Sequence, residues 1–268
     1  TGVQTCALPI WYNAFLIASN GVESRVGSIT ADWERFSEWK RVESEDERRR
    51  VALEVVIRGT CDKKRLLDLV ENFTLFSEHK LGTVKILAQN HQYLGVNNAI
   101  VSMQQARTER HGRAGVFWQT QGSGKSLAMV FFAQKVLRKL AGNWTFVVVT
   151  DRVELDDQIA KTFKSVGAVS SADADESHAT SGEHLRALLR GNNRYVFTLI
   201  QKFQSMEELT DRSDVIVMTD EAHRSQYDTL ALNMRRSLPH AMFLAFTGTP
   251  LIAGEERTRE VFGDYVSV

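Results

Sequence analysis

The chain has 268 residues, 43% of them hydrophobic, with 33 basic and 33 acidic side chains. That suffices for a sizeable core in one or two domains, and it excludes an overall basic footprint while leaving room for a local positive groove. Two cysteines, Cys6 and Cys61, are too few for a disulfide framework or a zinc site and fit a reducing compartment, and no apolar run is long enough to span a bilayer.

In chain order, residues 1–10 fit no element and stay unassigned, a foreign origin being one reading. Residues 12–18 read as a strand, Ser19-Asn20-Gly21 as a turn and residues 22–29 as a returning strand. Thr30 is expected to cap a helix with Asp32 in its first turn. Trp33, Phe36 and Trp39 then recur at helical spacing, which reads as core packing. Residues 43–50 form a charge run in which Glu45 and Arg49, and Asp46 and Arg50, are supportive i,i+4 pairs. A solvated helix or linker face is expected there, and with it a first domain boundary. Asp62 is a cap candidate for a helix carrying Leu66, Leu67, Val70 and Phe73, and residues 61–88 are expected to be a helical connector.

Residues 89–106 read as a helix with Tyr93, Val96, Ile100 and Met103 on one side. A polar, basic segment leads from it into the apolar run at residues 114–118. Further strands are expected at residues 145–150, 195–200, 215–219 and 242–246. Helices marked by Leu155, Ile159 and Phe163, and by Leu185, Leu188 and Leu189, fall between them, ending near Gly167 and Gly191. Residues 170–182 read as a loop. Nearly continuous apolar strands alternating with helices imply a parallel α/β sheet covered on both faces.

One stretch organises this pattern: Gln119-Thr120-Gln121-Gly122-Ser123-Gly124-Lys125-Ser126, between a buried strand and a helix. Strand, glycine loop and helix in that order are the context of a phosphate-binding P-loop. Gly122 and Gly124 let backbone amides face an anion at the helix N-terminus. Lys125 places a positive charge on the β/γ-phosphates, and the Ser126 hydroxyl can ligate Mg²⁺. Gln119 stands where the general pattern has its first glycine. A second apolar strand runs into Asp220-Glu221-Ala222-His223. Acids at the C-terminal end of a buried parallel strand lie where ligands bind in such sheets. Asp220 is placed to hold Mg²⁺, and Glu221 to orient or deprotonate an attacking water. A third strand ends in Thr247-Gly248-Thr249-Pro250, whose hydroxyls can report the nucleotide state to the rest of the fold.

In combination these segments resemble superfamily-two helicases and translocases, with Gln121 to Ser126 as motif I, Asp220 to His223 as motif II and Thr247 to Pro250 as motif III. Asp220-Glu221-Ala222-His223-Arg224-Ser225-Gln226, the segments 147–152 and 198–203, and the stretch 27–36 are similar to the motor subunit of type I restriction-modification enzymes. The resemblance covers residues 11–268. It implies a P-loop NTPase with a RecA-like parallel sheet and helices on both faces, preceded by a small α+β remnant of a nuclease domain. The domains expected from it are residues 11–60 (end of the nuclease domain and linker), 61–88 (connector) and 89–268 (ATP-binding lobe). It further implies ATP and Mg²⁺ as cofactors, translocation of double-stranded DNA, methylase and specificity subunits as partners, no membrane, and a cytoplasmic location. A nucleic-acid helicase of another superfamily-two family is the alternative.

By the same resemblance, the nucleotide is held by Thr120, Gln121, Gly122, Ser123, Gly124, Lys125 and Ser126, with Gln92 sensing adenine. A polar residue on an exposed helix face is the other reading of Gln92. Arg152, Thr198 and Gln201 match segments that contact DNA, although Arg152 could equally be a surface charge. His223, Gln226, Thr247 and Thr249 are expected to couple the sites, with a histidine satisfied inside the fold as the alternative for His223. The family's nuclease motif, an Asp followed by Glu-x-Lys, is expected before residue 11 and is not found in this sequence. Nor is the arginine of a second motor lobe; Arg257 and Arg259 are the nearest candidates beyond motif III.

Overall fold

The computed structural model describes residues 12–44, 47, 50–79, 82–120, 122–170, 176–204, 207–220, 227–248 and 256–267. The chain forms two compact units. One takes the chain up to Leu94 together with Ser165–Gly167, and the other takes Gly95–Lys164 and the chain from Ala168.

The first unit opens with a small antiparallel sheet, β1 (Leu16–Ser19), β2 (Ser24–Gly27) and β3 (Ser37–Glu38), in the order β1-β2-β3. The expected turn is built by Asn20, whose side-chain oxygen accepts the N–H groups of Val22 and Glu23 at 2.9 and 2.8 Å. Both flanking strands are shorter than the sequence suggests. Thr30 heads no α-helix. Its hydroxyl accepts the Lys85 N–H at 2.8 Å and the Ser28 hydroxyl donates to the Lys85 carbonyl at 2.6 Å, so the capping group is committed to a distant strand. Only a 3-10 turn, Trp33–Arg35, precedes β3. The aromatic stripe is accordingly split. Trp39 is 2% exposed, whereas Trp33 is 59% exposed and stacks on Phe36 with centroids 5.3 Å apart.

Two helices follow, α1 (Ala52–Cys61) and α2 (Lys63–Asn72), and α1 was not anticipated. Asp62 caps α2, accepting the N–H groups of Lys64 and Arg65. Its buried face runs through Leu69 into Phe73, while Leu67 and Val70 are exposed, so the apolar face expected there is corrected by one helical row. The connector expected to be helical is half sheet. β4 (Thr74–His79) and β5 (Gly82–Leu87) pair antiparallel, Thr74 with Leu87 through His79 with Gly82. Their β-branched and aromatic residues, Thr74, Phe76, Thr83, Val84 and Ile86, favour the pleated surface. Glu45, Asp46 and Arg49 of the expected ion pairs lie outside the described residues. α3 (Asn90–Thr108) forms as expected, with Tyr93, Val96, Ile100 and Met103 all buried.

The second unit is built on a six-stranded parallel sheet. Its strands are β6 (Arg113–Trp118), β7 (Thr145–Thr150), β8 (Tyr195–Leu199), β9 (Val215–Asp220), β10 (Met242–Thr247) and β11 (Tyr265–Ser267), in the order β11-β6-β10-β9-β7-β8. Every residue of β7, β9 and β10 is buried, as continuous apolar runs in a doubly covered sheet require. The connecting helices are α4 (Lys125–Lys139), α5 (Val153–Ser165), α6 (Gly182–Arg190), α7 (Tyr227–Ser237) and α8 (Glu256–Phe262). On one face Val147, Val217, Phe243 and Ala245 form a cluster with Leu185 and Leu189 of α6, Met234 of α7 and Phe262 of α8. On the other, Phe163 of α5 meets Tyr195 and Phe197 edge-on, with centroids 5.3 and 5.6 Å apart. α7, α8 and β11 were not anticipated. Among the described residues no helix is long and apolar enough to cross a membrane.

Candidate nucleotide site and adjoining loops

All six strands being parallel, the loops after β6, β9 and β10 leave the same edge of the sheet. β10 lies between the other two, with Thr247 opposite Trp118 and Phe246 opposite Asp220. The third motif therefore starts between the first and the second. The Gln119 N–H donates to the Thr247 carbonyl at 2.9 Å, tying the base of the glycine loop to β10.

The loop closes on itself before α4. The backbone N–H and the hydroxyl of Ser123 both donate to the Thr120 carbonyl, at 3.2 and 2.6 Å. Gly124 caps α4 in the left-handed region at φ 84°, and Gly122 has φ 78°, conformations that a side chain disfavours. Lys125 opens α4, and its Nζ lies 3.4 Å from Oδ1 of Asp220 at the end of β9. The two side chains are 14% and 9% exposed, so each charge is poised against its partner in a partly desolvated setting. Ser126 follows in the first helical turn, half-buried. Thr120 is exposed and Thr247 is buried. The structure thus brings together Thr120, Gly122, Ser123, Gly124, Lys125, Ser126, Asp220 and Thr247. Gln121, Glu221, His223, Gln226 and Thr249 lie outside the described residues.

Gln119 departs from an ordinary loop residue. It is 4% exposed, and neither atom of its side-chain amide has a hydrogen-bond partner among the described residues. An unmatched buried amide costs about 1–3 kcal/mol. Gln119→Leu, which keeps the volume and removes the polar atoms, is expected to stabilise the nucleotide-free chain by about 1 kcal/mol and raise Tm by roughly 2–4 °C. Calorimetric unfolding measures this, and a lowered Tm would mean that the amide is bonded.

The remaining expected residues are on other elements. Gln92 belongs to the first unit, where it is buried and its side-chain oxygen accepts the Gln89 N–H at 2.9 Å. An exposed helix face is therefore not its environment. Arg152 and Gln201 follow β7 and β8. The Arg152 side chain is 55% exposed, and the Gln201 amide donates to the Asp151 carbonyl at 2.9 Å. Thr198 is 1% exposed, and its hydroxyl faces the Leu199 carbonyl at 3.4 Å, so it presents no group to a surface ligand. Arg259 lies on α8 in a cleft of about 550 Å³ with Arg113, Gly115 and Asp264, its Nε 3.7 Å from the Asp264 carboxylate. Arg113 starts β6, at the opposite end of that strand from the glycine loop and roughly 20 Å from it. Arg259 is thereby removed as a candidate for the phosphate end, and the Arg257 side chain lies outside the described residues. Two residues passed over in the sequence, Asp156 and His178, also stand beside the Arg152 loop. Asp156 carried a weak signal as an acid in the first turn of a helix, and His178, in an irregular segment, carried none.

A parallel sheet with a glycine loop, a lysine and an acid converging at its C-terminal edge is the RecA-like form of the P-loop NTPase fold. The chain belongs to the SWI2/SNF2 ATPase family, whose model matches residues 91–268. It is 39% identical over 284 residues to the type I restriction enzyme HindI endonuclease subunit of Haemophilus influenzae, covering 96% of this chain and 27% of that one. It is 27% identical over 249 residues to the type I restriction enzyme SauCOLORF180P endonuclease subunit of Staphylococcus aureus, covering 89% of this chain and 25% of that protein. The chain thus spans about a quarter of the length of these relatives. The crystal structure of T4 UvsW aligns with 76% of this chain and 38% of its own at a TM-score of 0.50 and 15% identity, a likeness of fold alone.

Proposed function

We propose that this chain is the first motor lobe of the endonuclease subunit of a type I restriction enzyme, and that it binds and hydrolyses ATP to move along double-stranded DNA. The observation that carries the reading is the Lys125–Asp220 pair, 3.4 Å apart beside a loop with two left-handed glycines. The backbone amides of Gly122 to Lys125 and the start of α4 cradle the phosphates. Thr120 and Gln121 complete the loop, and the Lys125 ammonium exchanges Asp220 for phosphate oxygens when nucleotide enters.

Mg²⁺ fits the donor set. The Ser126 hydroxyl and the Asp220 carboxylate are oxygen ligands of the hard type that this ion takes, and Asp220 stands beside the phosphate-binding lysine. These two residues would hold the ion, which supplies charge neutralisation on the phosphates. Glu221 orients and deprotonates the attacking water. His223, Gln226, Thr247 and Thr249 pass the nucleotide state to the rest of the lobe. Arg152 meets the DNA backbone, and Gln92 senses adenine. In the assembled enzyme, methylase and specificity subunits are the partners, in the cytoplasm. Residues 11–60 are the end of a nuclease domain and 89–268 the ATP-binding lobe.

Titration calorimetry with ATP·Mg²⁺ on the wild type and Lys125→Ala tests the reading. The substitution removes a charge-assisted contact worth roughly 1.5–3 kcal/mol, so affinity is expected to fall at least about tenfold. Equal affinities would remove the P-loop assignment.

A further inference from the structure

The loop that carries Arg152 is gripped from the β8 side at two points, and nucleotide chemistry uses neither. Thr150 ends β7, Asp151 and Arg152 follow, and α5 begins at Val153. Asp156 sits in the first turn of α5, 7% exposed, with its N–H donating to the Arg152 carbonyl at 3.1 Å. One carboxylate oxygen of Asp156 is 3.0 Å from His178 Nδ1, and the other is 3.5 Å from the Thr150 hydroxyl. A carboxylate only accepts, so Nδ1 carries the proton. His178 is itself fixed to β8. Ala179 N–H donates to the Phe197 carbonyl at 2.9 Å, Phe197 N–H donates to the Ser177 carbonyl at 2.8 Å, and the His178 ring stacks on Phe197 with centroids 5.2 Å apart. On the other flank, the Gln201 amide donates to the Asp151 carbonyl.

Both ties fall on groups flanking Arg152, whose side chain is 55% exposed with its Nε 3.7 Å from the Asp151 carboxylate. A long side chain on a loose loop loses much freedom when it docks on a ligand, and a pinned backbone removes part of that cost in advance. We propose that the His178–Asp156 pair and Gln201 form a clasp from β8 that holds the Arg152 loop in register for a phosphate of duplex DNA. His178 and Gln201 are then positioning residues that act through Arg152. The proposal rests on the reading of Arg152 as a DNA contact.

The test is fluorescence anisotropy of this chain with a labelled duplex between 50 and 200 mM salt, with unfolding curves and ATP affinity measured alongside. Arg152→Ala is expected to weaken binding about tenfold and to reduce the slope of log K against log salt by about 0.9, the loss of one phosphate contact. His178→Leu and Gln201→Leu are each expected to reduce the slope toward the same value, and to add little in the Arg152→Ala background. His178→Asn, whose amide nitrogen takes the place of Nδ1, should restore the wild-type slope, and ATP affinity of His178→Leu should not change. If Arg152→Ala matters while both leucine variants bind as wild type, the clasp is wrong and the DNA reading stands. If Arg152→Ala changes nothing, the DNA reading of Arg152 falls and the clasp falls with it. Should His178→Leu fail to fold, Gln201→Leu, altered at an exposed position of the 3-10 turn Ile200–Lys202, decides alone.

Discussion

The 268-residue chain alone is expected to bind ATP·Mg²⁺ yet hydrolyse it about 10³–10⁵-fold more slowly than a longer version that carries a second motor lobe, even with duplex DNA present. That factor corresponds to roughly 4–7 kcal/mol of barrier. Charge developing on the transferred phosphoryl group calls for a cation beyond Lys125. Among the described arginines, Arg259, the nearest in sequence to the third motif, lies with Arg113 at the other end of β6. Its partner there is the Asp264 carboxylate. Steady-state ATPase of the two versions, each with and without duplex DNA, measures the difference. Matching rates would mean that one lobe completes the site. Arg257→Ala would then be the next variant to assay, Arg259 having been placed elsewhere.

The second large effect is expected at Glu221. In a version competent for turnover, Glu221→Gln should lower kcat about 10²–10⁴-fold, the usual contribution of a general base, while ATP affinity stays close to that of the wild type. The amide keeps the shape and a hydrogen bond to water but cannot take its proton. On the proposed reading, Asp220 and Lys125 hold the phosphate end independently of it. Single-turnover hydrolysis with bound nucleotide separates chemistry from product release. An unchanged kcat would mean that Glu221 is not the base.

The second unit was far more legible in the sequence than the first, for a physical reason. Strands buried on both faces read as unbroken apolar runs, so β7, β9 and β10 could be placed almost residue by residue, and the loops at their ends carried the chemistry. α7 has a readable period as well, with Ala231 and Met234 buried and Leu238 buried just past its end. β11 is only Tyr265–Ser267, too short for a periodic signal. In the first unit, local signals were overruled by distant partners. Thr30 looks like a cap and serves as an acceptor for Lys85, 55 residues away. Only Trp39 of the aromatic stripe entered the core, against Tyr93 at 5.6 Å. At the nucleotide edge the residue types could be read, but the unmatched amide of Gln119 and the tie from Gln201 to Asp151 depend on how the loops close.

The position of β10 between β6 and β9 also sets a schedule. β6 is the first of the six strands to emerge in synthesis, yet its strand neighbours are β10 and β11, the last two of the six. β7, β8 and β9 can pair among themselves as they appear, whereas the glycine loop has no sheet to stand on until Thr247 arrives, roughly 130 residues after Trp118 and about 6–26 s later at ordinary elongation rates. Through that interval the apolar β6 lacks its strand neighbours. A ribosome-bound chain halted before residue 242 is therefore expected to be a client for chaperones and unable to retain nucleotide, however complete its first motif.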